Sequence, residues 1–495
     1  MASIRHFKSL LRFFIALFFL PFCLSAQVLP DQIWLHGIHD LPGQPGYGNS
    51  YLRFENGLVF IQQEDLRMNF ESTMAVMPDT LGNILFYTNG CHIANAQGDT
   101  MPNGAGINPG EMHDWTCPTS GYTSPLGAMI LQMPDKPNLY YLFHMGVQYG
   151  TERKLNYGPF YYTIINMELD GGKGAVISKN NIVADGNFEP FASVRHGNGR
   201  DWWLIFPEYG TNKYRKFLFS DTGLEEKEVQ SIGQSLSCRY IGSSAFSPNG
   251  IRYARQQHCG VVALDFDRCS GQFSNDRLLP LPANAFGGGG VAFNKNGDRL
   301  MVSTQLSVLA ADLTQPNPQL DTIVGSLDII GSSLHLMQYG ADGKIYLSNL
   351  GRGKFYHVIN KPNEPEIDFQ QRWYDLANYS VRTLPNYPNY RLYDMPESIC
   401  DTLGINAPPI VGTTTLANPN VLLWPNPVGE TLYLQTGAEM ETLEIFDATG
   451  KKVRLVVPTF SEEEISVNVR HLPPGLYYLI LRFKDKVWSG KFVKQ

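Results

Sequence analysis

A short pattern of apolar and polar positions recurs through the middle of the chain. Each copy has an apolar strand, a turn rich in Asn, Asp, Gly and Pro, and a second apolar strand. The clearest copies are AFSPNGIRY at 245–253, AFNKNGDRL at 292–300 and QYGADGKIY at 338–346, and looser copies lie at 77–87, 133–141 and 195–203. Asn-Gly and Asp-Gly supply the positive φ that a tight turn needs, so each copy predicts a β-hairpin.

The spacing of the hairpins predicts how they are arranged. The turn glycines Gly250, Gly297 and Gly343 are 47 and 46 residues apart. A period of this size in strand–turn–strand units is typical of a β-propeller, in which each blade is a four-stranded sheet. Further strands are predicted after three of the hairpins, at 261–267, 306–313 and 355–359.

The number of blades depends on how the two ends of this region are used. Six hairpins predict six blades. Residues 33–37 and 50–54 look like strands without a hairpin, and residues 384–392 look like a hairpin without outer strands. Joining these pieces in one blade would hide their free edges. We therefore expect seven blades, with six as the alternative.

The hairpin turns also resemble those of a known class of propeller. The SPNG turn at 247–250 is similar to the blade turns of TolB-like and other WD40-like propellers. The resemblance extends over about residues 32–396. It implies a β-propeller architecture, within a domain expected at 27–400, and implies no activity.

A second pattern follows a linker. Residues 401–420 contain Pro, Gly and a run of three Thr, the composition of an extended tether. Short strands are then predicted at 431–434, 443–446, 453–457, 465–469, 477–483 and 487–493, with turns at 447–450 and 473–475. About seven strands in some seventy residues predict a small Ig-like β-sandwich at 421–495. The expected fold class is therefore all-β.

The last seventy residues carry a second, more specific resemblance. They contain LWPNP at 423–427, LEIFDATGKKV at 443–453, LPPGLYYL at 472–479 and GKFVKQ at 490–495. In this order at the chain end, these elements resemble the type A C-terminal sorting domain of the bacterial type IX secretion system. The alternative is an Ig-like adhesion module. The residues that carry the resemblance are Pro425, Asn426, Pro427, Gly450, Pro474, Gly475, Tyr477, Lys491, Phe492, Val493 and Lys494.

The sorting-domain resemblance implies a route and two partners. Such domains are recognised in the periplasm by the type IX translocon and are usually removed by a sortase-like protease. Cleavage is expected near residues 418–423, and recognition is expected to depend on residues 491–494. The cargo is then released or attached to the cell surface.

The N-terminus predicts the first step of the same route. A basic head with Arg5, Lys8 and Arg12 precedes ten apolar residues at 13–22, too few to cross a bilayer. Ser25 and Ala26 offer small residues for a peptidase. Residues 1–26 are therefore predicted to be a signal peptide for Sec export, and no other segment reaches membrane-spanning length.

Composition and charge exclude one class of partner. The 495 residues are 43% apolar and 17% charged, which is typical of an ordered globular protein. The net charge is −7 and no basic stripe is visible, whereas a nucleic-acid binder needs one to offset phosphate charge. Nucleic acid is therefore not an expected partner.

Cysteine usage agrees with export. Six cysteines remain after cleavage, and an even number in an exported protein suggests disulfides. If 247–250 is a four-residue loop, Phe246 faces Ile251, and the same register extended outward places Cys238 opposite Cys259. We therefore expect a Cys238–Cys259 disulfide.

Candidate chemistry is sparse. His36 and His39, His113 and Asp114, and the carboxylates Asp265 and Asp267 are each better explained as structural than as metal-binding or catalytic. Neither a Gly-x-Ser-x-Gly motif nor a phosphate-binding loop occurs. We therefore predict no catalytic residue, cofactor or metal. Most aromatic residues are expected to pack between blades, and since adjacent strand residues face opposite ways, one of Trp202 and Trp203 is a candidate exposed binding anchor.

These observations favour a secreted or cell-surface propeller that binds a glycan or a protein without catalysis. The alternative is a propeller hydrolase or lyase with its site at the central channel. Converging carboxylates and histidines at the channel would favour the enzyme, and an apolar or glycine-lined channel with an aromatic rim would favour binding.

Overall fold

The chain forms two compact units that divide between residues 407 and 408. The computed structural model describes residues 29–39, 43–55, 57–150, 154–238, 241–283, 285, 288–325, 333–405, 421–436, 440–447, 452–456, 464–483 and 486–495. The expected signal peptide and most of the expected linker lie outside the described residues.

The described residues of the first unit form seven antiparallel sheets that follow one another along the chain. The first three sheets contain β1 (Ile33–Ile38), β2 (Gly48–Glu55) and β3 (Leu58–Glu64), then β4 (Ala75–Pro78), β5 (Ile84–Thr88), β6 (His92–Asn95) and β7 (Thr100–Ala105), then β8 (Ala128–Gln132), β9 (Leu139–Tyr149), β10 (Leu155–Asn166) and β11 (Ala175–Ala184). A short helix, α1 (Glu111–Thr116), lies between the second and third sheets.

The remaining four sheets have the same up-and-down order. The fourth sheet contains β12 (Ala192–Arg195), β13 (Trp202–Pro207), β14 (Lys213–Ser220), β15 (Gly223–Glu226) and β16 (Gln230–Ser231), and the fifth contains β17 (Ile241–Phe246), β18 (Arg252–Gln257), β19 (Gly260–Asp267) and β20 (Gln272–Pro280). The sixth sheet contains β21 (Val291–Phe293), β22 (Arg299–Ser303), β23 (Val308–Asp312) and β24 (Asp321–Val324). The seventh sheet contains β25 (Leu334–Tyr339), β26 (Ile345–Asn349), β27 (Gly353–Ile359) and β28 (Phe369–Ser380).

The sheets close into a ring. β1 contacts β4, β4 contacts β8, and β12, β17, β21 and β25 contact one another in turn, so the first strands line the centre. The last strand, β28, returns to the first sheet, where the Asn378 side-chain amide donates to the Asn49 carbonyl at 3.0 Å and to Ser50 Oγ at 2.8 Å. Up-and-down sheets around a common centre, with the last against the first, are a β-propeller.

Both faces of a sheet are buried in this arrangement. Alternate residues of a strand point to opposite faces, so Trp202 packs toward the third sheet and Trp203 toward the fifth. Their side chains are 3% and 4% exposed. The prediction that one of them is exposed was therefore wrong, because each face of the fourth sheet packs against a neighbouring sheet.

All six predicted hairpins are present. Gly250, Gly297 and Gly343 have φ of 74°, 72° and 82°, the left-handed conformation expected of the turn glycine. The predicted register of one hairpin was wrong by two residues, since Phe246 pairs with Tyr253 and not with Ile251. Ser247 N–H donates to the Arg252 carbonyl, so the loop comprises residues 248–251 and lies one residue later than predicted.

The proposed seventh blade was also assigned incorrectly. The first sheet forms from β1, β2 and β3 alone, and residues 384–392 contain no strand. The Pro-rich sequence explains this, because Pro385 and Pro388 lack the N–H that a paired strand must donate.

The second unit is a β-sandwich of two sheets. One sheet has the order β29 (Val421–Trp424), β30 (Thr431–Thr436) and β33 (Glu464–Asn468), and the other has the order β32 (Lys452–Val456), β31 (Met440–Asp447), β34 (Gly475–Phe483) and β35 (Lys486–Lys494). Side chains from both sheets, among them Leu434, Ile445 and Leu479, form a common buried core. The predicted turn at 447–450 is mostly outside the described residues.

Within the described part of the chain, no helix has the length and apolar character needed to cross a bilayer.

Candidate functional site

A segment without regular secondary structure passes along the centre of the propeller. We call residues 381–400 the crossing segment. The side-chain amide of Asn386 donates to the carbonyls of Leu126 at 2.9 Å and Phe191 at 3.0 Å. The hydroxyl of Tyr387 lies 3.2 Å from the Ile33 carbonyl and 3.0 Å from the Val76 carbonyl. The crossing segment therefore bonds backbone groups in or beside the first strands of four sheets.

The C-terminal half of the crossing segment bonds to the turns that follow the first strands of the fourth and fifth sheets. The Asn389 amide donates to the Pro248 carbonyl at 2.6 Å, and Met395 N–H donates to the Gly197 carbonyl at 2.8 Å. A disulfide then joins Cys400 to Cys269, with their Cα atoms 5.5 Å apart. The segment is thus fixed at the centre by hydrogen bonds and at its end by a covalent link.

This link gives a testable prediction. Replacing Cys269 and Cys400 together by Ser is expected to lower the free energy of unfolding by about 2–4 kcal/mol, because a cross-link over a long loop restricts the unfolded chain. Urea unfolding of the oxidised protein and of the variant measures the difference. The matched control is Cys91→Ser with Cys117→Ser, whose partners are only 26 residues apart and whose loss should cost less. Equal losses would contradict the prediction.

A cavity of about 740 Å³ remains beside the crossing segment. Its walls are the first strands of the fourth to seventh sheets, the turns that follow three of them, and the crossing segment itself. Small side chains such as Ala192, Ala245 and Ala292 leave the space, and the half-buried Phe246 and Tyr339 also line it. A volume of this size lies within the range of roughly 300–1,000 Å³ that small-ligand sites occupy.

The charged groups of the cavity are largely paired with one another. Asp31 accepts from the Arg391 guanidinium, and burial raises the pKa of this carboxyl. Asp342, whose side chain is 1% exposed, accepts from the Tyr346 hydroxyl at 2.9 Å and lies 3.4 Å from Lys344 Nζ. The walls therefore offer hydrogen-bonding groups with little uncompensated charge.

Two polar atoms at the cavity have no hydrogen-bond partner among the described residues: Ser193 Oγ and Asp31 Oδ1. Ser193 is only 4% exposed. Buried polar atoms are nearly always bonded, and both of these atoms are themselves shielded from solvent, so a ligand can bond them only if their side chains rotate toward the cavity. Neither atom was predicted from the sequence, because Asp31 and Arg391 are 360 residues apart and Ser193 is an isolated serine in a strand.

Three histidines of the propeller have structural surroundings, among them His36 and His39, which the sequence analysis named. His36 in β1 is fully buried, with Nε2 at 3.4 Å from the Leu376 carbonyl, whereas His39 Nδ1 lies 3.7 Å from Asp65. His144 is buried between Asn108 Oδ1 at 2.6 Å and Thr163 Oγ1 at 2.9 Å. Among the described residues, no group of three or more His, Cys, Asp or Glu side chains could hold a metal ion.

His144 predicts acid sensitivity. Burial lowers its pKa to about 3, from about 6.5 in the unfolded chain. Its contribution to stability is therefore present above pH 6.5 and is lost as the pH falls toward 3. Between pH 7 and pH 5 we expect the free energy of unfolding to fall by about 2 kcal/mol more for the wild type than for His144→Asn, measured by urea unfolding. An equal fall in both proteins would contradict this.

The paired carboxylates at the end of β19 are also structural. Asp265 binds Arg277 at 3.0 Å, and Asp267 accepts from the backbone N–H of Cys269 and from Ser270 in the following turn. Hydrogen bonds from these partners lower the pKa of both carboxyls despite their partial burial. Neither carboxylate lines the cavity.

A buried ion pair lies between the fourth and fifth sheets. Glu189 and Arg255 are each 1% exposed and form a charge-assisted hydrogen bond. Gln257 also donates to Glu189, and Arg255 donates to the Tyr214 hydroxyl at 2.8 Å. Burial raises the pKa of Glu189 to about 7, against the opposing effect of Arg255. Gln257 also accepts from Cys238 N–H at 2.8 Å, and a disulfide joins Cys238 to Cys259.

In the second unit, the Pro-Asn-Pro element contacts the last strand of the chain. The Asn426 side chain accepts from Val493 N–H at 2.9 Å and donates to the Lys491 carbonyl at 3.2 Å. Val428 N–H donates to the Val493 carbonyl at 2.8 Å. Two elements that are separated by more than sixty residues in the sequence are therefore adjacent in the fold.

The last strand presents two different faces. Phe492 is fully buried, and its ring stacks on Tyr477 at 5.5 Å, whereas Lys491 and Val493 are exposed. The Tyr477 hydroxyl donates to the Pro473 carbonyl at 2.9 Å, which fixes the turn before β34. Pro474, Gly475 and the partly buried Lys494 belong to the same region, and Gly450 lies outside the described residues.

A family comparison decides what this unit is. Residues 422–495 match the family described as the secretion system C-terminal sorting domain. This unit is a type IX sorting domain. The sorting domain indicates export to the cell surface or secretion, by way of the type IX machinery.

For the propeller unit, the comparisons extend to the fold alone. A protein of Bacteroides uniformis assigned as a 6-phosphogluconolactonase shares 11% identity, with a TM-score of 0.40 over 70% of this chain and 96% of that chain. The Dos1 propeller shares 10% identity, with a TM-score of 0.39 over 70% and 83%. The Cps50 (Swd1) β-propeller domain of Myceliophteria thermophila shares 12%, with a TM-score of 0.31 over 75% and 97%. No curated protein matches the chain in sequence.

Proposed function

We propose that the propeller is the binding module of an exported protein and that it holds a glycan or part of a protein in its central cavity. The observation that carries the proposal is the cavity of about 740 Å³ beside the crossing segment. The space is concave, is walled by the first strands of four sheets, and has lining residues with two unpartnered buried polar atoms. These are the usual features of a ligand site.

The pairing of charges favours binding over hydrolysis or elimination. A cation beside a carboxylate favours its ionised form and makes it a weaker general base. Asp31 is engaged by Arg391, and Asp342 is engaged by Tyr346 and Lys344. Each carboxylate of the cavity already has a partner on its own chain, which supports a role in recognition.

The test is a variant that fills the cavity. Ala341 lies in the turn after β25 and lines the cavity, so Ala341→Trp should occupy the space with little disturbance of the sheets. The matched control is Leu81→Trp, at an exposed position in the turn after β4 and away from the cavity. Both exported proteins are applied to a glycan array and to an extracellular protein library. Binding should be lost in Ala341→Trp alone, and equal binding by both variants would refute the proposal.

We also propose that the sorting domain engages the type IX translocon and a sortase-like protease, which cuts near residues 418–423. The propeller includes the crossing segment as far as Cys400, so a cut in this region would leave it whole. Mass spectrometry of the exported protein locates its C-terminus. A C-terminus at Gln495 in the mature form, or before Cys400, would contradict this site.

A further inference from the structure

The polar atoms of the cavity point to a particular kind of ligand. Ser193 Oγ needs a partner that accepts or donates, and the carboxylate oxygen Asp31 Oδ1 needs a donor. Hydroxyl groups do both. A ligand with several hydroxyl groups can therefore bond both atoms, whereas an apolar ligand would leave them buried without partners.

The charge balance of the cavity favours a ligand without formal charge. The acidic groups Asp31 and Asp342 are each paired with a basic group of the same chain. Lys295, the other basic residue at the cavity, lies in an exposed turn. A charged ligand that entered the deep part of the cavity would lose hydration without gaining a free counter-charge.

The apolar part of the wall fits the same ligand class. Tyr339 and Phe246, both half-buried, line the cavity together with alanines from the first strands, whereas the Phe293 ring is buried between the fifth and sixth sheets. Sugar rings have apolar C–H faces that pack against aromatic rings and hydroxyl edges that form hydrogen bonds. An amphipathic side-chain set of this kind therefore suits a saccharide better than a uniformly polar solute.

Resting on the proposed binding function, we propose that the central cavity binds a neutral saccharide, with Ser193 and the Asp31–Arg391 pair as its hydrogen-bonding contacts. Ser193 supplies a buried hydroxyl, Asp31 accepts from a sugar hydroxyl, and Arg391 holds the carboxylate in position. Two sources share this chemistry, the end of a surface glycan and a free oligosaccharide.

A matched pair of serine variants tests the assignment. Both serines line the cavity, but Ser244 Oγ already donates to the Pro190 carbonyl, whereas Ser193 Oγ has no partner among the described residues. Ser193→Ala should weaken saccharide binding about fivefold and leave the unfolding midpoint unchanged. Ser244→Ala should lower the midpoint and leave the affinity nearly unchanged.

The probes are neutral oligosaccharides together with their uronic-acid and sulfated counterparts, applied to the full exported protein. Immobilised chains on an array represent glycan ends, and titration calorimetry with free oligosaccharides represents the soluble source. Binding of neutral chains that Ser193→Ala weakens and Ala341→Trp abolishes supports the proposal.

Other outcomes separate the two proposals. Three results would overturn the saccharide assignment. They are binding of charged glycans only, an affinity that Ser193→Ala leaves unchanged, and no binding of any neutral sugar at millimolar concentration. If Ala341→Trp then abolishes the binding of a non-sugar ligand, the result still supports the proposed binding function of the cavity. Saccharide binding that persists in Ala341→Trp would place the site outside the cavity, and both proposals would fail.

Discussion

Removal of residues 490–495 is expected to retain the protein in the periplasm. The deletion removes more than half of β35, which includes Phe492 in the core and Val493 at the Asn426 contact. We expect surface-exposed plus secreted protein to fall at least tenfold, with a matching periplasmic increase. Cell fractionation with an antibody to the propeller measures both pools. Normal surface display of the truncated protein would contradict the role of this strand.

Point variants separate loss of folding from loss of recognition. Phe492→Ala removes a fully buried ring and should cost about 3–5 kcal/mol of sorting-domain stability. Lys491→Ala and Val493→Ser change exposed side chains and should leave the fold intact. If the exposed face contacts the translocon, the exposed variants should reduce export while the unfolding midpoint stays constant. Export that follows stability alone would assign only a structural role to the strand.

Replacement of Arg255 by Met is expected to lower the free energy of unfolding by about 3–5 kcal/mol at pH 7.5, because it leaves the buried Glu189 carboxylate without its cation. Urea unfolding measures the change. The loss should diminish as the pH is lowered toward 4.5, because burial raises the pKa of Glu189 in the folded protein and the protonated acid is less costly to bury.

A second substitution tests the cause of the Arg255 effect. In the double variant Arg255→Met with Glu189→Gln, no charge remains buried, and at least half of the lost stability should return. The ion pair of the half-buried Lys227 with the exposed Glu225 provides the control, since Lys227→Ala should change stability by less than about 1 kcal/mol. Additive effects at Glu189 and Arg255 would show that the two residues act independently.

Local periodicity predicted most of the strands. The hairpins centred on Gly250, Gly297 and Gly343 were found because turn chemistry and alternation depend only on neighbouring residues. The same reasoning failed at Trp202 and Trp203, because a strand in isolation does not reveal that a propeller buries both of its faces. The strands of the sorting domain were predicted for the same local reason.

Local sequence patterns did not determine the long-range register of the strands or the path of the crossing segment. The disulfide between Cys238 and Cys259 is present although the register behind its prediction was wrong, since an irregularity between Ile241 and Ser244 brings the strands back toward the expected alignment. The path of residues 384–392 depends on the carbonyls of Ile33, Val76, Leu126 and Phe191. The cavity lies beside that path, so local sequence patterns could not show which residues line it together.

The crossing segment also determines when the propeller becomes complete. Residues 381–400 leave the ribosome after all seven sheets, yet they bond the sheets that were made first. Until they arrive, the central carbonyls of the early sheets lack these partners. A chain that ends before residue 381 can still place β28 against the first sheet, but its centre lacks these hydrogen bonds. The centre of the propeller can therefore be completed only after nearly all of the propeller has been synthesised.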